Sequence, residues 1–377
     1  MAIKLKNRWL GVAIPVFLIA LIGYGSHYFI LSNFLSLNEQ IFYQTCQTMI
    51  WVSYYLAIYT NPGKPPKDFK PSAEEWHNYC KKCRVYKPER AHHCKTCNQC
   101  VLAMDHHCPW TLNCVGHSNF PHFMRFLFWV IFSTAYLLFL LIGRICRLWS
   151  IRHSTFHYTS TSEITFICIM TPMDAFVLLT VSSLLGRCIY NQCLHGMTQI
   201  ESWEMDRIQS LHYKNRLLPQ LIDRLVERRP EILPAKQHEI NKLLSKRYVN
   251  HEDFTNFPYD VNPWTNINNA MGPWYLWLWP WSKPPTIGIS FAKNELFFYD
   301  PNSSIEDMLM SLPWPPDGMS HHSRASGSGS SIEAIVSGGE QVVRDKSVDL
   351  RDRLGRNSWY NDWGEDLSDF GVDTEVE

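Results

Sequence analysis

The sequence predicts an α-helical polytopic membrane protein, with four transmembrane helices and a cytosolic two-zinc cysteine-rich domain between spans two and three. Three observations carry the prediction. Apolar residues, 46% of the 377-residue chain, gather in a few long runs. Seven of the twelve cysteines fall within residues 80–114, several as Cys-x2-Cys pairs. Lys and Arg collect on one side of the apolar runs. The 35 basic and 35 acidic side chains cancel, so charge gives no argument for a nucleic-acid partner.

A transmembrane helix needs about 20 mostly apolar residues. Residues 9–31 (WLGVAIPVFLIALIGYGSHYFIL) meet this. The run is too long for a signal-peptide core and lacks a small-residue cleavage site, so it is read as a retained anchor. Residues 41–59 form a second span, less apolar but uncharged. Residues 126–143 form a third, introduced by Arg125 at the interface. Residues 164–190 form the fourth, weakened near its start by Pro172 and Asp174. Orientation follows from the positive-inside rule. Lys4, Lys6 and Arg8 occupy the N-terminal segment 1–8, and the 60–122 loop carries nine Lys/Arg, whereas 32–40 carries none. Both termini and the cysteine-rich loop therefore face the cytosol. Arg144, Arg147 and Arg152, on the far side, are the misfit.

Residues 191–318 form a cytosolic C-terminal region. Within it, 207–247 is basic, with Leu217, Leu221 and Leu225 at helical spacing, as on a lipid-facing or a solvated helix. The stretch GPWYLWLWPWSKPP, 272–285, suits the membrane–water interface that tryptophan prefers. Residues 319–377 read as a largely disordered tail with an acidic end; 319–331 (MSHHSRASGSGSS) has linker composition. No internal repeat stands out beyond the cysteine pairs.

The cysteine-rich domain, 78–122, carries the chemistry. It reads Cys80-x2-Cys83, His92-His93-Cys94-x2-Cys97-x2-Cys100, Asp105-His106-His107-Cys108, then Cys114. Cys-x2-Cys presents two thiolates to one tetrahedral zinc, and metal-held thiolates suit a reducing, cytosolic setting. Two zincs need eight ligands, so seven cysteines require help from histidine. A Cys3His set at each zinc leaves one thiol over, and Cys100, Cys108 and Cys114 all lie outside the two obvious pairs. Local chemistry points to Cys108, because an acid and a histidine precede it, the parts needed to generate a thiolate and orient its base. The competing reading makes all seven cysteines ligands of an inert module.

At these residues the chain resembles the DHHC family of protein S-acyltransferases, the palmitoyltransferases. Asn61-Pro62-Gly63 looks like that family's Asp-Pro-Gly, with Asn for Asp. Thr198-Gln199-Ile200-Glu201 resembles its Thr-Thr-x-Glu, lacking the second Thr. Asn266 and Gly272, after Phe257-Pro258-Tyr259-Asp260, resemble its C-terminal Asn/Gly motif. The Trp-rich stretch and Leu312-Pro313-Trp314-Pro315-Pro316 look like the fungal endoplasmic-reticulum branch, whose members act on chitin synthase.

The resemblance implies one zinc on Cys80, Cys83, His93 and Cys100 and a second on Cys94, Cys97, His107 and Cys114. It implies that Cys108 is the nucleophile, His106 the base and Asp105 its orienter. Palmitoyl-CoA would acylate Cys108, which passes the chain to cysteines of membrane-associated proteins, chitin synthase being a candidate. Residence in the endoplasmic-reticulum membrane follows from the same likeness. Lys87 and Arg90 would either meet CoA phosphates or be solvated charges. Two other classes compete: a membrane-anchored zinc-binding adaptor without catalysis, and a small channel or transporter with a zinc-stabilised loop, for which Asp174 would be the pointer.

Overall fold

The computed structural model describes residues 9–153, 160–246, 250–318 and 355–375. The N-terminal segment 1–8 and the 319–331 linker lie outside the described residues. Four long helices form the apolar half. Three of them, α1 (Leu10–Asn33), α3 (Phe120–Ile151) and α4 (Thr161–Leu194), are long and apolar enough to cross a membrane. Between α1 and α3 lies α2 (Leu37–Tyr59), opened by a reciprocal Ser36–Glu39 capping box. In α1 the chain loosens into a π-helical turn at Ala20–Gly25, where Tyr43 of α2 donates its hydroxyl to the Gly23 carbonyl at 3.2 Å.

The helices outrun the apolar windows, for identifiable reasons. α3 starts six residues before the expected third span because its first turns are buried under the Trp-rich loop. There the Arg125 guanidinium donates to the carbonyls of Trp277 at 2.7 Å, Pro280 at 3.3 Å and Ser282 at 3.1 Å. At the other end Arg144, one of the misfit charges, donates to Glu163 of α4 at 2.6 Å.

Between α2 and α3 the chain makes three two-stranded antiparallel hairpins. They are β1 (Tyr79–Cys80) with β2 (Val85–Tyr86), β3 (His92–Cys94) with β4 (Gln99–Val101), and β5 (His106–Cys108) with β6 (Asn113–Val115). After α4 come α5 (Gln199–Tyr213), α6 (Leu217–Arg228), α7 (Ile232–Ser245), α8 (Pro263–Met271) and α9 (Ile305–Met310). Leu217, Leu221 and Leu225 pack with Phe254, Phe257, Met308 and Trp314 into one core. The apolar stripe of α6 is therefore spent inside the protein, against both the lipid-facing and the solvated readings.

The acidic end also departs from expectation. Residues 355–375, grouped by sequence with a disordered tail, are laid across the hairpins. Trp359, Leu367, Phe370 and Val372 bury against Trp203, Met104 and Val101. Asp373 ion-pairs with Lys82, and Arg356 with Glu204 of α5. Acidic composition argued for disorder, but four apolar anchors and these ion pairs supply what a disordered tail lacks. The strap's backbone joins the hairpins through Lys95 N–H to Gly371 O at 2.9 Å and His107 N–H to Phe370 O at 2.7 Å. Gly371 has φ +85, and a Cβ there would meet the His107 Cβ at 2.5 Å. Gly371→Ala is expected to destabilise the protein by about 1–3 kcal/mol through backbone strain and this clash, read as a lower melting temperature; wild-type melting would show that the strap does not rest on this contact.

Candidate active site

The three hairpins repeat at a fixed pitch. Cys80, Cys94 and Cys108 are fourteen residues apart, and each ends the first strand of its hairpin, paired with Val85, Gln99 and Asn113. Four residues after each cysteine the chain turns left-handed, at Arg84 (φ 57), Asn98 (φ 49) and Leu112 (φ 50). The reading that found no repeat beyond the cysteine pairs is thus corrected. The signal was present in the equal cysteine spacing, obscured because the third unit has Thr111 where the first two have Cys83 and Cys97.

Ligands are shared between successive units. The Cys80–Cys83 knuckle of the first hairpin faces the cross-strand pair His93 and Cys100 of the second. The Cys94–Cys97 knuckle of the second faces His107 and Cys114 of the third. His93 Nδ1 lies 3.4, 3.3 and 3.7 Å from the sulfurs of Cys80, Cys83 and Cys100. His107 Nδ1 lies 3.7, 3.4 and 3.7 Å from those of Cys94, Cys97 and Cys114. A tetrahedral zinc with ordinary bond lengths separates sulfur and nitrogen by about 3.6 Å. Each cluster therefore fits one zinc ion. Asp373 lies against the outer side of the first cluster, its carboxylate 3.9 Å from His93 Nε2, where second-shell carboxylates support metal-binding imidazoles.

Cys108 stands outside both clusters and is buried. The Asp105 carboxylate, 1% exposed, accepts from three directions: His106 Nδ1 at 2.8 Å, Gln192 Nε2 at 2.7 Å and the Gln199 amide at 2.8 Å. His106 and Cys108 stand two apart on β5, so strand alternation puts their side chains on one face. Burial opposes a charged imidazole, but the Asp105 carboxylate and Cys108 outweigh it and raise the His106 pKa to about 10. Burial likewise pushes the Cys108 thiol up, and the neighbouring His106 outweighs it, holding the thiol below its ordinary value. Carboxylate, imidazole and thiol stand in series as needed to supply a thiolate at neutral pH.

The surrounding motifs hold this series in place. Position 199, where the second Thr of the motif is missing, meets Asp105 through its backbone N–H, so the side chain there is free to vary. Thr198 and Glu201 form a capping box that starts α5, and Glu201 accepts a bidentate bond from Arg90 at 2.7 and 2.6 Å. The Arg90 guanidinium lies over both the Tyr259 and Phe291 rings, at 4.6 and 4.7 Å from their centroids. That group is paired and largely shielded rather than solvated, and Lys87 is buried too. Asn61 accepts from the Gly63 N–H at 2.9 Å, which an amide oxygen does as well as a carboxylate. Asn266 ties the end of α4 to this region, donating to Leu194 O at 3.0 Å and Asp260 at 2.8 Å. Gln192 and Asn113 carry no sequence signal of their contacts. Asn113 donates to the last carbonyls of α2, Ala57 at 3.3 Å, Ile58 at 3.0 Å and Thr60 at 2.9 Å, docking the third hairpin on a helix end.

Two zinc-fitting clusters and one buried thiol outside them sit on hairpins set among long apolar helices. The sequence pattern of the DHHC palmitoyltransferases matches residues 73–206. Over its full length the chain is 94% identical to Palmitoyltransferase PFA4 of Kluyveromyces lactis, covering all of both chains. It is 50% identical to Palmitoyltransferase PFA4 of Saccharomyces cerevisiae, again over all of both chains. With Palmitoyltransferase pfa4 of Aspergillus fumigatus the identity is 31%, over 87% of this chain and 83% of that one. The chain belongs to the DHHC palmitoyltransferase family and is a protein S-acyltransferase. Because a broken tetrahedral set leaves thiolates unpaired and structural zinc supplies folding energy, Cys97→Ser is expected to lower metal content from two zinc ions per chain and to lose activity with it. Two zincs retained by elemental analysis would overturn the second ligand set.

Proposed function

We propose that Cys108 carries the acyl group, with His106 as its base and Asp105 as the group that orients His106. The observation that supports this best is that Cys108 alone of the seven hairpin cysteines lies outside the two four-ligand clusters, while the His106–Asp105 pair addresses it. The Cys108 thiolate attacks the carbonyl of a palmitoyl-CoA thioester. The carbon–sulfur bond to CoA breaks, and the CoA thiolate takes the proton from His106. A substrate cysteine then gives its proton to His106 and attacks the acyl-enzyme, restoring Cys108. One thioester replaces another in each step, so the energy change is small and the protein's work is to supply thiolate and alignment. Cys80, Cys83, His93 and Cys100 would hold one structural zinc, and Cys94, Cys97, His107 and Cys114 the other.

The membrane layout proposed is of four spans, with α2 as the fourth. Its 23 residues extend about 34 Å at the helical rise of 1.5 Å per residue, enough for the hydrocarbon core. Its hydropathy is lowered by hydroxyls that satisfy themselves within the helix: Thr45 donates to Ile41 O at 2.8 Å, Thr48 to Gln44 O at 2.8 Å and Ser53 to Met49 O at 2.7 Å. Large apolar side chains point outward on every helix, among them Phe17, Ile41, Phe139 and Phe176, as lipid contact requires. The exposed Trp264, Trp274, Trp279 and Trp281 lie by the Arg125 end of α3 and suit the cytosolic interface. Both termini and the zinc domain would then be cytosolic. Endoplasmic-reticulum residence and chitin synthase as one acceptor are supported by likeness to the fungal branch alone. A C16 chain, at about 0.8 kcal/mol per buried methylene, needs an apolar cavity, and Cys108 packs with Phe123, Met124 and Leu127 of α3 where such a chain would enter.

The adjacent histidines separate catalysis from structure. In a labelled palmitoyl-CoA assay with metal analysis, Cys108→Ser is expected to abolish the hydroxylamine-sensitive acyl-enzyme and keep two zincs. His106→Ala should slow acylation by roughly a hundred- to ten-thousand-fold, also with zinc intact. His107→Ala should lose zinc and folded protein. Zinc loss from His106→Ala but not from His107→Ala would reverse the assignment.

A further inference from the structure

The Trp-rich loop, 272–285, begins just beyond α8 and closes back on its own start. Gly272 has φ +80, and a Cβ there would lie 3.1 Å from Lys283 O, so the two ends meet as in a compact Ω-loop. Of its four tryptophans, Trp274, Trp279 and Trp281 are exposed. Trp277 turns inward, donating its indole N–H to Gly272 O at 2.8 Å. It packs against the core that contains Cys108, Phe123, Met124, Leu127 and Met271. That inward turn is held from α3. Arg125, 2% exposed, donates from Nε to Trp277 O at 2.7 Å, and from one terminal nitrogen to Pro280 O and Ser282 O at 3.3 and 3.1 Å. His122 Nδ1 accepts from the same nitrogen at 3.1 Å. Among the described residues these are its acceptors, and no carboxylate is one of them. A buried guanidinium is costly unless its donors are satisfied, so the closed loop and the charge beneath it stabilise each other.

We propose that this loop is a lid on the acyl-enzyme: Trp277 shields the Cys108 thioester from water, and Arg125 is the positioning residue that holds Trp277 in place. This rests on Cys108 being the acylated residue. An acyl-enzyme meets two nucleophiles, the acceptor thiol and water. In the wasteful reaction the oxygen of water attacks the acyl carbonyl carbon and the carbon–sulfur bond breaks. Palmitate leaves, Cys108 regains one proton, and the other passes to solvent. A closed apolar cover suppresses that step by keeping water from the thioester. The loop presents three carbonyls at separate places, which the fork of an arginine can meet and the single point of a lysine ammonium cannot. Hydrolysis then runs through the fraction of molecules whose loop is open, and the bonds that close the loop set that fraction.

The test uses the full-length protein in nanodiscs, acylated with radiolabelled palmitoyl-CoA and then freed of excess donor. Loss of label as free palmitate is followed without acceptor, transfer is followed with an N-myristoylated cysteine peptide, and zinc is measured alongside. Arg125→Lys is expected to shorten the acyl-enzyme lifetime without acceptor roughly tenfold, the effect of a lost hydrogen bond to a charged group, with two zincs retained. Trp277→Ala removes the cover itself and should shorten it at least as much, so that less label reaches the peptide. Trp277→Phe keeps an apolar ring and should recover most of the lifetime. Leu278→Ala trims an exposed neighbour on the same loop and should leave the lifetime unchanged. The proposal fails if Trp277→Ala keeps the wild-type lifetime, if Leu278→Ala shortens it as much, or if Phe is no better than Ala. It fails equally if Trp277→Ala retains zinc but forms no acyl-enzyme, or if it and Arg125→Lys both lose zinc, since the loop would then be a structural brace. Cys108→Ser is run in parallel. Labelling of that variant would sink the nucleophile assignment, whereas an unlabelled Cys108→Ser beside a long-lived acylated Trp277→Ala would sink the lid alone.

Discussion

The site depends on one constraint: each metal cluster takes its ligands from two successive hairpins. The hairpins are short, with strands of two or three residues, and hairpins of that size have no independent stability in water. A cluster that joins the Cys80–Cys83 knuckle to His93 and Cys100 fixes the first hairpin against the second. The next joins the Cys94–Cys97 knuckle to His107 and Cys114 and fixes the second against the third. Order propagates along the array, and its last product is the orientation of β5. Since His107 is bound into a cluster, the residues on either side of it, His106 and Cys108, have their backbone directions set by that cluster. Strand alternation then puts His107 on one face and its two neighbours on the other. Ligand and chemistry can therefore occupy adjacent positions without interfering.

The array needs support at its end, and other parts of the chain provide it. Asp105 is buried, and an unpaired buried carboxylate is costly. Its three partners come from the first residue of β5, from the last turn of α4 and from the start of α5. Two of those are fixed by helix ends, so the orientation of His106 is tied to the membrane helices. Arg90, Glu201 and the Tyr259 and Phe291 rings close the gap beneath, and the 355–375 strap closes the opposite face. A module with little core of its own has been built into the interfaces of three others.

Much of this was legible in sequence because metal ligation and membrane crossing leave residue-type signals that survive without tertiary context. Cys-x2-Cys spacing, an acid and a histidine before Cys108, and apolar runs of about 20 residues are all local. What could not be read depends on pairing at a distance. The strap was missed because Trp359, Leu367, Phe370 and Val372 are too sparse for any helical or strand period, and because seven acidic residues in its vicinity suggest solvation. Arg90 looked like a surface charge because nothing near it in sequence announces Glu201. The second helix, expected as a span over 41–59, is helical over Leu37–Tyr59. Its threonines and serine lower its apolar score, yet their bonds to carbonyls one turn back show that those groups need no water.

The docking of the third hairpin raises an electrostatic problem that the structure also answers. The C-terminal end of a helix carries partial negative charge on its last carbonyls, which disfavours an anion nearby. Asn113, the cross-strand partner of Cys108, sits on that end of α2, so the thiolate proposed at Cys108 would form close to it. Two features offset the penalty. The Asn113 amide donates to three of the carbonyls, taking up the lone pairs that would otherwise face the site. His106, whose charged form the Asp105 carboxylate favours, would supply a positive partner on the same face of β5. Asn113 thus serves twice, as the pin that joins the zinc array to a membrane helix and as the cap that makes the join compatible with a thiolate. A hydrophobic residue there would have kept the strand but left the carbonyls open. The proposed anion beside a helix terminus would therefore favour an amide at that position, independently of anything the metal sites demand.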